Sequence, residues 1–311
     1  MLSTVAERIY WAARYLERIE STARMISIYD NLLFDLPRSE KLSWYSLITI
    51  NSLDREFNRQ YTVRDERNIV KFMLGDEINP SSVLSSLRAI RENVRTTRDV
   101  IPGESWELIN ELSLYVQENL DQGIGRRKRH EFLDTIVKAC QQILGFWVGT
   151  MPRDEAWAIV MLGLNMERAD MTSRHLDVGS AMLIEVADDD QAVNSVQIIL
   201  GTVLRSVHAH QSYLRSTRSS VSTRQVIQYL LDDRSFPRSL GFCLNHIEAS
   251  CRSLPNSKPL QEKIAQLRQK AVEEINEEFS PQEFREYLNR LQIRLGGLHQ
   301  TIANSWFPAN P

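Results

Sequence analysis

Two stretches of the chain share the pattern Glu-Arg-x-acid-x-Thr-x-Arg, and they hold its best candidates for chemistry. The first runs Glu17-Arg18-Ile19-Glu20-Ser21-Thr22-Ala23-Arg24; the second, 150 positions on, runs Glu167-Arg168-Ala169-Asp170-Met171-Thr172-Ser173-Arg174. Spacings of three, four and seven place the first Glu, the second acid and the last Arg on one helix face. Neighbouring carboxylates can do general acid–base work, and arginine forks hold carboxylates or phosphates. Glu17 and Glu167 are therefore the candidate bases. Arg14, Arg18, Glu20, Arg24, Arg168, Asp170 and Arg174 are candidates for binding a substrate or a partner. Arg95 and Arg98 form a further arginine set with Arg91. No Ser-His-Asp arrangement, zinc spacing or glycine-rich phosphate loop accompanies these residues, so neither a metal nor a cofactor is expected.

A helical wheel limits what these faces can do. In the first copy the carboxylates border the apolar stripe of Ile9, Leu16, Ile19 and Ala23. In the second copy apolar residues lie almost all round the helix (Trp157, Ile159, Met161, Leu162, Leu164, Met166), which argues a central, buried position. Buried charges must be paired. Glu20–Arg24 and Asp170–Arg174 can pair four apart on their own helices, whereas Glu17 and Glu167 need partners from elsewhere. An arginine of the opposite copy is the natural one. Arg14 and Arg18 repel each other unless an acid or anion sits between them. Small Ala13 and Gly163 beside the glutamates permit close helix approach.

The elements that must position these groups are all helical. Period-3.6 segments run throughout and strand patterns are absent, with only 12 glycines and 10 prolines to interrupt them. The periodicity predicts helices near 2–33, 41–60, 65–74, 80–98, 104–121 and 127–149. A second set falls near 153–183, 190–214, 222–231, 237–253, 258–278 and 281–304. Pro80, Pro237 and Pro281 read as first helical residues. Further matches link the sets: Phe72 to Pro80 with Tyr229 to Pro237, then Ser82 with Ser239 and Gly145 with Gly297. These predict one domain over 1–311, an all-α duplicated bundle with repeats 1–151 and 152–311, its two six-helix halves related by a pseudo-twofold axis. Arg126-Arg127-Lys128 and Asp188-Asp189-Asp190 read as exposed loops. The tail Trp306-Phe307-Pro308 either folds back on the core or marks an interface, which leaves a homo-oligomer open.

Composition excludes several classes. A net charge of −3 gives no basic surface for nucleic acid. No run of 18 apolar residues spans a membrane, and Glu7, Arg8 and Arg14 argue against a signal peptide. Three cysteines, Cys140, Cys243 and Cys251, form neither a metal spacing nor an even disulfide set, so a cytoplasmic protein is expected. The six histidines read as packing or surface residues, His208 and His210 pointing apart on one helix.

The run from Val5 to Arg24, with its Glu17-Arg18, resembles the bacterial alpha-E domain family, all-helical and named for a recurring Glu-Arg motif. Asn79-Pro80-Ser81-Ser82, Arg91-Glu92-Asn93-Val94-Arg95, Asn165-Met166-Glu167-Arg168 and Asp232-Asp233-Arg234-Ser235-Phe236-Pro237-Arg238-Ser239 extend the likeness over essentially the whole chain. Such proteins are commonly encoded or fused beside a circularly permuted ATP-grasp protein and a transglutaminase-like protein. The resemblance thus implies a part in ATP-dependent peptide ligation or modification, with any ATP-grasp partner acting in trans. Three readings remain open: a helical partner of the ligase that binds it or its substrate, an enzyme using Glu17 or Glu167 as base, and a scaffold whose charges only hold the core.

Overall fold

The computed structural model describes residues 1–35, 43–185, 192–218, 221–275 and 279–307. Among the described residues the chain is all-α, with fourteen helices and no strand. In order these are α1 (Ser3–Asp35), α2 (Ser46–Ile50), α3 (Asp54–Gln60), α4 (Glu66–Gly75), α5 (Val83–Arg95), α6 (Glu104–Ile124) and α7 (Arg126–Thr150). They continue with α8 (Glu155–Glu185), α9 (Ala192–Ser206), α10 (His210–Thr217), α11 (Thr223–Asp232), α12 (Leu240–Arg252), α13 (Lys258–Ile275) and α14 (Pro281–Trp306).

Helices α1 and α8 form the axle of the molecule. Neither stretch contains a proline, and α1 contains no glycine, so each runs past 30 residues uninterrupted. Asp154 starts α8 by accepting the Trp157 amide at 3.1 Å. The two helices pack side by side and parallel: the Met1 amine meets Glu155, Tyr10 faces Gly163, and Arg14 reaches Glu167. Around them, α5, α7 and α9 cover α1, while α12 and α14 cover α8. One apolar core extends from Ala6 to Trp306 and includes residues of both stretches.

Two expected helices are each broken in two, which gives fourteen helices rather than twelve. The 41–60 segment divides at Ser52 and the 190–214 segment at His208, both left-handed residues (φ 57° and 55°). Each break is closed in the same way, Leu53 N–H donating to Ile48 O (3.0 Å) and Ala209 N–H to Leu204 O (2.7 Å). These are Schellman-type closures made without the usual glycine. The proline starts also shift. Pro281 opens α14 behind a Ser280–Glu283 capping box. By contrast α5 and α12 start three residues after Pro80 and Pro237, where Ser82 and Ser239 cap the amides of Ser85 and Phe242.

Arg126-Arg127-Lys128 is the first turn of α7 rather than a loop. Arg126 pairs with Glu66, and the next turn inserts Arg129, only 1% exposed, between Asp30 (2.6 Å), Glu66 (2.9 Å) and the carbonyls of Gly123 and Ile124. A guanidinium on the last carbonyls of α6 satisfies acceptors that the helix leaves open. The tail folds back as far as Phe307: Trp306 donates to Pro255 O (2.7 Å) and Phe307 packs on Tyr10. Pro308 and the Asp188–Asp190 run lie outside the described residues. Gly145 in α7 and Gly296 in α14 have open space where a Cβ would stand. Gly145→Ala and Gly296→Ala should each raise unfolding free energy by about 0.5–1 kcal/mol in urea denaturation, because alanine restricts the unfolded chain and suits a helix.

Candidate functional site

The Glu-Arg repeats meet across the α1/α8 contact, and the meeting is reciprocal. Arg168 Nε donates to Glu17 Oε2 at 2.9 Å, while Arg18 Nε donates to Glu167 Oε1 at 2.6 Å. The arginine that follows each glutamate therefore neutralises the glutamate of the other helix. Both carboxylates are buried, Glu17 at 1% exposure and Glu167 at 0%.

Around Glu17 the cluster is closed. Arg238, from the link between α11 and α12, reaches Glu17 Oε1 with one Nη and Glu20 Oε1 with the other, the latter at 2.9 Å. Arg24 grips Glu20 from the same helix through Nε (2.9 Å) and Nη2 (2.5 Å). Burial pushes the Glu17 pKa up, but the Arg238 and Arg168 guanidiniums outweigh it and hold the carboxyl below the usual range. Arg238 responds in the opposite sense: burial lowers its pKa, Glu17 and Glu20 raise it more, and it stays charged.

Around Glu167 the pattern differs. Its two arginines come from α1, Arg14 Nε at 2.6 Å and Arg18 through Nε at 2.6 Å and Nη2 at 3.1 Å. An acid thus sits between Arg14 and Arg18, as their like charges required. Burial pushes the Glu167 carboxyl up, yet Arg14 and Arg18 bring it down to about 2. The Arg14 guanidinium also lies over Trp11, 4.9 Å from the ring centroid, so its desolvated face is covered by an aromatic ring. Asp170 pairs with Arg174 Nε at 2.9 Å, and Arg174 Nη1 donates to Ile50 O at 2.6 Å. A cavity of about 90 Å³ opens beside these groups, with Arg18, Glu167, Asp170 and Arg174 in its lining.

Arg95 and Arg98 do not join either cluster. Arg95 pairs with Glu92 on the surface, and Arg98 lies over Trp106, 4.5 Å from the ring centroid. Arg91 bonds Asn110 at 2.7 Å. Sequence reasoning missed Arg238. Its signal was the Phe236-Pro237-Arg238-Ser239 run, which caps α12 and brings the guanidinium inward. The thiols offer no nucleophile: burial pushes Cys243 up to about 12 and Cys251 to about 11.

His175 lies against the first cluster, its Nδ1 3.0 Å from Ser206 Oγ. Burial, then Arg238 and Arg24, lowers its pKa to about 3, so it stays neutral in the fold while an unfolded chain protonates it below about 6.5. Its contribution is thus complete above pH 6.5 and is lost as pH falls towards 3. The Glu167 contribution is complete above about 4.5 and is lost as pH falls towards 2. Unfolding free energy should therefore decline below pH 6.5, by at most about 1.4 kcal/mol per pH unit for each group, and melting temperature with it. In calorimetry, His175→Gln should flatten the decline between pH 6.5 and about 3, leaving the Glu167 contribution as the remaining slope below about 4.5. An unaltered slope would refute the assignment.

Among the described residues no group of three or more His, Cys, Asp or Glu could hold a metal, and no helix is long and apolar enough to cross a membrane. No solved structure matches the chain. Uncharacterized proteins of Mycobacterium bovis and Mycobacterium tuberculosis are 21% identical over 329 residues, covering 96% of this chain and 35% of theirs. The chain thus spans about a third of the length of the curated relatives it matches. The Alpha-E family, described as a predicted alpha-helical domain with a conserved ER motif, matches residues 1–307. The chain carries Glu17-Arg18 and Glu167-Arg168 across the α1/α8 contact, and it belongs to the Alpha-E family.

Proposed function

We propose that the chain is a non-catalytic helical partner in an ATP-dependent peptide or amide ligation system. It would bind a circularly permuted ATP-grasp ligase, and a transglutaminase-like protein would act in the same system. The observation that carries this reading is the state of the repeated glutamates. Each is buried between arginines, and a carboxyl held at about 2, as Glu167 is, makes a poor proton acceptor at neutral pH. That speaks against a general-base enzyme and favours binding and positioning as the work of the charged faces. The longer relatives fit a module that operates beside other domains. Three buried free thiols suit the cytoplasm.

We further propose that α1–α7 and α8–α14 are duplicated halves about a pseudo-twofold axis along the α1/α8 pair. Reciprocal contacts are what a twofold relation produces. The matching breaks at Ser52 and His208 and the matching caps at Ser82 and Ser239 support it.

Co-purification with a circularly permuted ATP-grasp protein of the same organism tests the partner reading. A stoichiometric complex in at least one nucleotide state is expected; none with ATP, ADP or a non-hydrolysable analogue would reject it.

A further inference from the structure

The two charge clusters differ at two places: Glu167 takes Arg14, whose matching position in the second copy is Leu164, and Arg238 beside Glu17 has no guanidinium at its matching position. Beside Glu17, Arg238 lies across both carboxylates, and Thr172 donates to the Arg238 carbonyl at 2.7 Å. The runs Phe72–Pro80 and Tyr229–Pro237 match in step, which sets Ser81 at the place of Arg238 in the proposed duplication. Serine cannot reach across, and the 90 Å³ cavity lies there, Ser81 in its wall with Arg18, Thr22, Asp170 and Arg174. Neither the Thr22 nor the Ser81 hydroxyl donates to another group among the described residues. Of the cavity's charged lining, Arg18, Asp170 and Arg174 are 17–18% exposed at their side chains.

Charge decides what fits. The second cluster already holds Arg14, Arg18 and Arg174 against Glu167 and Asp170. A lone guanidinium or ammonium would add to that cationic excess. A bare anion would meet two carboxylates. A zwitterion adds no net charge and uses both signs, its carboxylate on the arginines and its ammonium on Asp170. The volume, about that of three waters, admits a head group and leaves the rest outside.

We infer that this cavity binds the head group of a free α-amino acid. The inference deepens the ligation reading by naming a substrate class, but binding needs no ligase to be present. Titration calorimetry of the full chain with glycine, against acetate, methylammonium and guanidinium as part-ligands, tests it. Glycine should bind roughly tenfold or more tighter than any part-ligand. Ser81→Arg, which puts a guanidinium where the first cluster has one, should abolish binding with the fold retained. Asp170→Asn, should the first variant not fold, should weaken glycine roughly tenfold. No glycine binding, binding unchanged in both variants, or guanidinium binding tighter than glycine would each overturn the proposal. Such a failure is separable from that of the ligase reading, which rests on complex formation alone.

Discussion

Glu167→Gln should lower the unfolding free energy by about 3–5 kcal/mol, the largest loss expected from a single charged residue of the chain. Glutamine keeps the shape of the side chain and one acceptor oxygen but removes the charge. Arg14 and Arg18, their side chains 10% and 18% exposed, would then face each other without an acid between them. At about 2–3 °C per kcal/mol for a chain of this size, melting temperature should drop by roughly 6–15 °C. Glu17→Gln should cost less, because Arg238 keeps Glu20 and remains partly neutralised. Asp134→Asn is the control. Its pair with Lys138 is as short, at 2.6 Å, but mostly exposed, and its loss should cost no more than about 0.5 kcal/mol. Equal effects of Glu167→Gln and Asp134→Asn in urea denaturation would mean that burial does not amplify the pair.

Gly163→Val should lower stability by more than about 3 kcal/mol, and Gly163→Ala by about 1–3 kcal/mol net of alanine's better helix propensity. A Cβ at Gly163 would stand 2.3 Å from the Tyr10 carbonyl oxygen and 3.2 Å from the Ala13 Cβ. Backbone cannot rotate away as a side chain can, so α1 and α8 must part. Separation there would also pull Arg14 and Arg18 from Glu167, four residues further along. Gly179 sharpens the test. Its Cβ would meet Val203 Cγ2 at 2.7 Å, a side-chain atom that can turn aside, so Gly179→Ala should cost less. The reverse order in thermal melts would contradict a backbone-limited α1/α8 contact.

Much of this site is legible in the sequence because charge and spacing carry it. The wheel places the second acidic face in a helix apolar all round, and Glu167 is buried outright. The demand that Glu17 and Glu167 find partners on the opposite copy leads directly to Arg168 and Arg18. Three features were not legible, each for a physical reason. Arg238 acts through a loop whose direction depends on how Ser239 caps α12, a tertiary matter. Arg129 belongs to a basic run that reads as solvated, and only the packing of α6 on α7 turns one member inward. The helix breaks at Ser52 and His208 use left-handed residues that are neither glycine nor asparagine, so no turn signal marks them. The surface set at Arg95 and Arg98 shows the opposite error: shared spacing without a buried acid to gather it.

The central claim is that each Glu-Arg motif neutralises the other across α1 and α8. A double-mutant cycle on Arg18 and Glu167, with Arg18→Met, Glu167→Gln and the double variant measured by urea denaturation, tests it most directly. The account predicts a coupling of about 1.5–3 kcal/mol, with the double variant more stable than the sum of the single losses implies. A parallel cycle on Arg168 and Glu17 should give a coupling of the same sign. Losses that add within about 0.5 kcal/mol in both cycles would contradict the claim.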